Sequence, residues 1–336
     1  DVYKRQEPVY VEMVRQAFDL FAELERETGT RLYHESGSLW MYSDDDAYAR
    51  ESLPFLGQAG FTLEGMSAAE ARQRWPQVNF AGVEHIYHEP RSGVLAARRI
   101  CATVRDRLVA LGGRYQTAEA GPGELKGGSL NGIRLADGSR LDADEYVFCC
   151  GPWLGKVFPD VVGGAVRPSR QEVYFFGPPA GSTEWDLGEL PAWIDFTDRE
   201  VYGFPRTFGR GFKFADDTRD EDFDPSDGDR TPTPERLARA REFVARRFPG
   251  LAGAPLVEAR VCQYENSPDG DLIIDAHPEA ENCWIVGGGS GHGFKLAPAV
   301  GAMVARRIIE DKALPPKFLL SRLSEIEGNS TYNGWV

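Results

Sequence analysis

The chain has 336 residues, 42% hydrophobic and 27% charged, with 38 Lys and Arg against 52 Asp and Glu, for a net charge of −14. These are globular proportions, and the acidic balance argues against a nucleic-acid or anionic-membrane partner. No apolar run of eighteen residues is present to span a bilayer, and no basic–apolar–small-residue leader is visible. A chain this long outgrows a single core, so two intimately joined domains are expected. The five cysteines, Cys101, Cys149, Cys150, Cys262 and Cys283, form no C-x-x-C. They suggest neither a disulfide framework nor a zinc site, and fit a reducing cytoplasm.

In chain order, residues 9–27 read as an amphipathic helix, with Tyr10, Val14, Phe18, Phe21 and Leu24 on one stripe and Gly29 as the stop. A short strand follows at Gly37–Tyr42. Ser67 and Glu70 form a capping box for a helix ending before Trp75-Pro76. Residues 97–111 form a second helix, with Ile100, Val104, Leu108 and Leu111 in line. Asp137-Gly138 sits between two apolar runs and marks a hairpin. Asp144–Cys150 reads as a buried strand entering Gly151-Pro152-Trp153, which sets the neighbouring Cys149 and Cys150 on opposite faces.

Residues 165–214 are aromatic-rich and strand-like, as in an antiparallel sheet. Asp216–Asp229 holds eight acidic residues and one Arg, and reads as a solvated loop. Residues 234–248 are helical, opened by Pro234. The strand Cys283–Val286 meets the glycine-rich run 287–293, and a helix follows with Val300, Met303, Val304 and Ile308 on one side. A strand, glycine turn and helix in that order make a ready anion or cofactor site. Glycines let a ligand approach the backbone, and the helix start offers free N–H groups and positive potential. A tight strand–helix turn is the alternative reading. Ser290 lacks the Gly-x-Ser-x-Gly elbow of a hydrolase, and no Gly-x-Gly-x-x-Gly fingerprint occurs anywhere in the chain.

The run Ser290-Gly291-His292-Gly293-Phe294-Lys295 resembles the C-terminal signature of the monomeric sarcosine oxidase and N-methyl-tryptophan oxidase family. That family lies within the wider D-amino-acid-oxidase-like flavoproteins. Cys262-Gln263-Tyr264, Pro268-Asp269 and Ile273-Ile274-Asp275 resemble the family's flavin-attachment stretch. Further segments agree in order: Glu89-Pro90 with Ser92–Leu95, Gly151-Pro152-Trp153, Arg170-Gln171, and Tyr202-Gly203-Phe204-Pro205 leading to Lys213. The resemblance implies a mixed α/β fold, with an FAD-binding βαβ domain and an antiparallel-sheet substrate domain. Both would be discontinuous: 1–36, 89–160 and 255–320 for FAD, 37–88 and 161–254 for substrate. The fingerprint strand and helix would precede residue 1, so a truncated chain is expected, with its main pyrophosphate site absent.

The same resemblance implies roles. Cys262 would carry FAD through a thioether. Lys213 would stand on the oxygen side of the flavin, where an ammonium stabilises developing superoxide-like charge. Lys295 would bind a substrate carboxylate together with the helix dipole. His292 and Tyr264 would line the substrate cavity. Gly151, Trp153 and the loop Gly288, Gly289, Ser290, Gly291, His292, Gly293 and Lys295 would contact the cofactor. The bland alternatives are a strand Cys, surface lysines, a structural His and a core Tyr. One departure concerns the position four residues after Lys213, where sarcosine-oxidising members carry His and this chain has Asp217. An acid there disfavours a nearby carboxylate, so sarcosine itself is not assigned. His85 and His88 fall in a strand-like stretch, so no metal is expected there. His277, in an exposed-looking turn, has no assigned role.

The expected activity is FAD-dependent oxidation of the C–N bond of a secondary or N-methyl amino acid or related amine by a monomer, with O2 as acceptor and H2O2 as product. The alternatives are a flavin dehydrogenase or demethylase with another acceptor, and a non-catalytic fragment.

Overall fold

A computed structural model describes residues 7–218 and 223–326. The N-terminal third contains α1 (Pro8–Thr28), β1 (Tyr33–Glu35), β2 (Ser38–Tyr42), α2 (Ala47–Gln58), β3 (Glu64–Met66), α3 (Ala68–Arg74), β4 (His85–Glu89), β5 (Gly93–Leu95) and α4 (Ala97–Ala110). The middle contains β6 (Ala120–Lys126), β7 (Ser129–Leu135), β8 (Arg140–Leu141), β9 (Tyr146–Phe148), α5 (Leu154–Val157), α6 (Pro159–Val162), β10 (Arg167–Phe176), β11 (Ala192–Asp195), β12 (Val201–Phe204) and β13 (Phe212–Asp216). The remainder is α7 (Pro234–Arg247), β14 (Leu256–Asn266), β15 (Ile273–His277), β16 (Ala280–Gly287), α8 (Gly293–Glu310) and α9 (Ser321–Ile326).

Local signals decide many of these boundaries. Gly29 ends α1 in the left-handed region at φ 63°, where glycine pays no Cβ penalty. Ser67 Oγ accepts from the Glu70 N–H while the Glu70 carboxylate accepts from the Ser67 N–H, which closes the capping box of α3. Asp137-Gly138 turns β7 into β8, with Gly138 at φ 84°.

The chain divides into two compact units. The first holds the described part of Asp1–Ala102, Gln171–Thr218 and Asp229–Cys262. The second holds Thr103–Arg170 and the described parts of Arg219–Gly228 and Gln263–Val336. The first is built on an eight-stranded sheet of order β14-β10-β13-β12-β11-β2-β4-β3. Strands β10, β13, β12 and β11 pair antiparallel, as their aromatic-rich sequence predicts. Strand β11 then pairs parallel with β2, so the whole sheet is mixed. One face is closed by α7 and an aromatic cluster in which Trp193 stacks on Phe212 and Phe243, at 5.8 and 5.9 Å between centroids. The opposite face carries Val173, Phe175 and Ala215 with Tyr202, Phe204 and Cys262 packed against them.

The second unit holds a three-stranded sheet, β15-β16-β9, in which β16 and β9 are parallel and α8 follows β16. Its core joins Phe148, Leu154, Ile273, Cys283 and Ile285. A separate antiparallel sheet, β6-β7-β8, completes it.

The helix expected over 97–111 is α4; of its apolar stripe only Ile100 is buried, while Val104, Leu108 and Leu111, just past its end, are exposed, because no described element covers their side. Three expectations are corrected. The strand expected over Asp144–Cys150 is only Tyr146–Phe148. It pairs on one side only, and Val147 is exposed. Cys149 and Cys150 lie beyond it, at the start of the 3-10 turn Gly151–Trp153. His277 is buried at the end of β15, where its Nδ1 accepts from the Glu279 N–H. His85 and His88 do lie on a strand, β4. No cluster of three or more metal-ligating side chains occurs among the described residues. Nor, among these residues, is any helix long and apolar enough to cross a membrane. The acidic stretch 216–229 falls partly outside the described residues.

Candidate cofactor and active site

In the first unit, antiparallel register places Lys213 of β13 between Phe175 of β10 and Phe204 of β12. Its Nζ lies 4.7 Å from the Tyr202 ring centroid and 4.9 Å from that of Phe204. The side chain keeps some open surface, but the ammonium makes no hydrogen bond among the described residues. Loss of hydration lowers its pKa to about 8; the Cys262 thiol opposes that shift and the Arg210 charge adds to it. Cys262 is part-buried, and burial raises its pKa against the pull of Lys213 and Arg210. Arg210 is held by a two-point ion pair with Glu258, at 3.0 Å for each contact, and lies over the Phe175 ring. Lys213 and Cys262 therefore share one aromatic-walled face of the sheet. Asp217, just past β13, is buried and donates its backbone N–H to the Glu200 carbonyl.

In the second unit, the glycine run packs onto Tyr264 and Glu265. A Cβ on Gly291, where φ is +85°, would stand 2.6 Å from the Tyr264 ring. One on Gly287 would meet Leu154 at 2.5 Å and Glu265 Oε2 at 2.9 Å, and one on Gly289 would meet Glu265 Oε1 at 3.2 Å. Gly288, at φ +69°, presses against the Asp271 carbonyl. The loop is glycine-rich partly because it must lie against its own neighbours, as the alternative of a tight strand–helix turn requires.

Ser290 is buried at φ 43°. Its Oγ accepts from the Ser267 N–H and donates to the Gly288 carbonyl. His292 is buried, with Nε2 2.9 Å from the Gly270 carbonyl oxygen. Both side chains fasten the loop to the turn between β14 and β15. Lys295 lies in the first turn of α8 with Nζ 3.5 Å from the His292 carbonyl. That helix start has no side-chain cap and no acidic residue, so its N–H groups and dipole leave positive potential beside Lys295. Gly151 adopts φ 54°, and Trp153 is half-exposed with its Nε1–H donating to Ser226 Oγ.

A cavity of about 840 Å³ lies within this unit. Its walls are the glycine loop, Tyr264 and Glu265, Cys149 and Gly151, and one face of α8 through Val300 and Val304. The lining includes Tyr264, Gly151, Gly289, Gly291 and Gly293, but not His292, Lys295 or Trp153. Among the described residues its only carboxylate is Glu265, a residue the sequence reading passed over. Oε1 of Glu265 accepts from the Gly289 N–H at 3.2 Å, while Oε2 is buried with no hydrogen-bond partner among the described residues. Desolvation raises its pKa to about 7, moderated by the N–H groups of Gly289 and Gly288. No local pattern marks a lone Glu inside a strand as functional; only the approach of a distant loop does.

The family model "FAD dependent oxidoreductase" matches residues 2–307. Monomeric sarcosine oxidase of Bacillus sp. (strain B-0618) is 28% identical over 313 residues, which is 90% of this chain and 78% of that protein. N-methyl-L-tryptophan oxidase of Salmonella arizonae is 26% identical over 339 residues, 94% of this chain and 84% of that protein. Among solved structures, L-proline dehydrogenase from P. horikoshii superposes with a TM-score of 0.81 at 19% identity, covering 93% of this chain and 83% of its own; that likeness speaks to the fold alone. A glycine loop laid between a parallel strand pair and α8, with a family match spanning nearly the whole sequence, leads to one conclusion: the chain belongs to the FAD-dependent oxidoreductase family.

Proposed function

We propose that the protein oxidises the C–N bond of a secondary or N-methyl amino acid, or a related amine, passing the electrons to O2. The C–H and N–H hydrogens of the substrate leave with two electrons, giving an imine that water hydrolyses, and O2 becomes H2O2. The residues present fit the cofactor of the family. Gly287, Gly289, Gly291 and Gly293 border a large, mostly apolar cavity next to the uncapped start of α8, whose N–H groups and positive potential suit an electron-rich group. When bound, FAD supplies the two-electron acceptor that no side chain can provide.

The observation that carries the reading is Lys213: a part-buried ammonium with no hydrogen-bonding anion among the described residues, framed by two aromatic rings on the same sheet face as Cys262. A fixed cation in a water-poor site is suited to stabilising negative charge developing on oxygen. Cys262 is assigned the covalent link to FAD. Lys295, beside the positive end of α8, is assigned the substrate carboxylate, with Tyr264 as a cavity wall and His292 fixing the loop near the substrate. The backbones of Gly151 and of Gly288–Gly293, with Trp153, are assigned to cofactor contact. The acid at Asp217 keeps sarcosine from being singled out. The protein is taken to act as a monomer.

Two measurements test this. After acid denaturation, yellow colour is expected in the pellet; colour released to the supernatant removes Cys262 as the attachment point. Lys213→Met is expected to leave reduction by substrate near the original rate and to slow reaction of the reduced protein with O2 by at least tenfold, a loss of about 1.4 kcal/mol of transition-state stabilisation. Equal oxygen rates would remove Lys213 from the mechanism. Less than one peroxide per amine consumed would indicate a different acceptor.

A further inference from the structure

Lys213 and Cys262 share their sheet face with a second, fixed cation. Arg210 sits in the turn between β12 and β13, flanked by Gly209 at φ 72° and Gly211 at φ 96°. Its N–H donates to the Thr207 carbonyl, and Gly211 lies so close to the Phe176 carbonyl oxygen that a Cβ would stand 2.6 Å from it. The backbone thus fixes where the side chain starts. The guanidinium makes its two-point contact with Glu258 and lies 4.0 Å from the Phe175 ring centroid. Phe175 is the residue directly across the strands from Lys213. Glu258, Arg260 and Cys262 alternate along β14 and so share one side of it. Arg260 also donates to Glu258, so one carboxylate answers two guanidiniums and a positive charge is left over. The Arg210 and Glu258 side chains are only 29% and 26% exposed, so solvent screens that surplus incompletely.

We propose that Arg210 is a positioning residue of this site: clamped by Glu258 onto the Phe175 ring, it supplies the permanent positive charge beside which the Cys262 thiol and the Lys213 amine work. The inference rests on the roles given to those two residues above and adds what prepares them. A fixed cation favours the deprotonated form of both neighbours. For Cys262 that form is the thiolate, the nucleophile a covalent link requires. Burial raises the proton affinity of this thiol, and Lys213 first and Arg210 second oppose the rise. For Lys213 the deprotonated form is the neutral amine. Burial is the main reason that it titrates at about 8, and Arg210 adds to it. The charge suited to oxygen is therefore present below that pH and lost as pH rises through it. The other charged or titratable groups on this face are the Tyr202 phenol on β12, Arg260 and Glu258 on β14, and Asp217 past the far end of β13; Val173 and Phe175 of β10 add none. The guanidinium itself stays charged throughout.

The test follows protons on the full chain without flavin. Alkylation of Cys262 by iodoacetamide and trace acetylation of Lys213 by acetic anhydride are measured across neutral and alkaline pH by peptide mass spectrometry. Both reagents are uncharged, so the protein's field does not steer them. Arg210→Gln should slow Cys262 alkylation near neutral pH about two- to threefold, less than the loss of thiolate, because a thiolate of higher proton affinity is the better nucleophile. It should raise the Lys213 midpoint from about 8 by roughly half a unit. Glu258→Gln breaks the same ion pair from its other end. It removes the negative charge and leaves the positive one, so both effects should reverse. Arg210→Lys keeps the charge and should stay close to the wild type. If Arg210→Gln fails to fold, the other two variants decide by themselves. Shifts in one direction for both Arg210→Gln and Glu258→Gln would mark the pair as a structural tie and overturn the inference, as would values that do not move; either result leaves the family reading and the flavin roles standing. Flavin released on acid denaturation together with an unchanged oxygen rate in Lys213→Met would overturn those roles, and the positioning role with them, whatever the two protons do.

Discussion

Glu265 and Lys213 are both held away from their ordinary proton affinities by lost hydration, and in opposite directions. Each keeps a charge-bearing end without a hydrogen-bond partner among the described residues, a cost that folding alone does not need. For Glu265 the folded pKa, about 7, lies above the unfolded carboxyl value. The folded state therefore binds its proton more tightly, and the group's stabilising contribution is complete below about pH 4.3 and lost as pH rises through 7. The expected outcome is a stability difference in favour of Glu265→Gln that grows by at most about 3 kcal/mol from pH 5 to pH 7.5, read as a widening gap in melting temperature. Parallel thermal melts across that range would show it; a constant gap would mean that Glu265 is well solvated. Neither residue could have been ranked this way from the chain alone. Lys213 was found by resemblance, and Glu265 was not found at all.

At the scale of elements, what was legible is what neighbouring residues decide. The stop of α1 at Gly29, the capping box of α3, the Pro234 start of α7 and the Asp137-Gly138 hairpin all follow from interactions a few residues apart. The glycine run was recognised as a turn with a purpose, but its reason was only half seen. Gly291 needs its positive φ, and its missing Cβ makes room for the Tyr264 ring, which lies on another strand. Gly291→Ala should therefore cost about 1–3 kcal/mol from backbone strain and displace the loop from Tyr264. Chemical denaturation would give the cost, and a fall in FAD affinity of tenfold or more is expected alongside it. Unchanged stability and affinity would show that the loop shifts freely. The α4 stripe shows the limit of periodicity: it states which residues share a face, and only a packing partner can cover that face.

At the scale of the whole molecule, residues remote in sequence are tied by buried polar contacts. Arg247, at the end of α7, pairs at 2.6 Å with Asp195 of β11 and donates to the carbonyls of Asn79 and Ala81 and to Thr197 Oγ1. Both charged side chains are essentially inaccessible. Arg247→Met leaves Asp195 buried without its counter-charge and should destabilise the protein by about 3–5 kcal/mol, whereas replacing both partners with apolar residues should recover much of that loss. Denaturant midpoints of the single and double variants would decide. By itself the sequence determined helices α1, α3, α4, α7 and α8, the Asp137-Gly138 turn, the antiparallel run of aromatic strands and, through resemblance, the family and its cofactor. The signals for these lie within a few residues or in short matched motifs. Only the tertiary structure decided that β2 joins β11 in parallel, that Val104 and Leu108 stay exposed, and that a carboxylate fills the glycine loop. Each of these depends on which distant segment arrives at a surface, and burial, charge pairing and proton affinity are properties of that meeting.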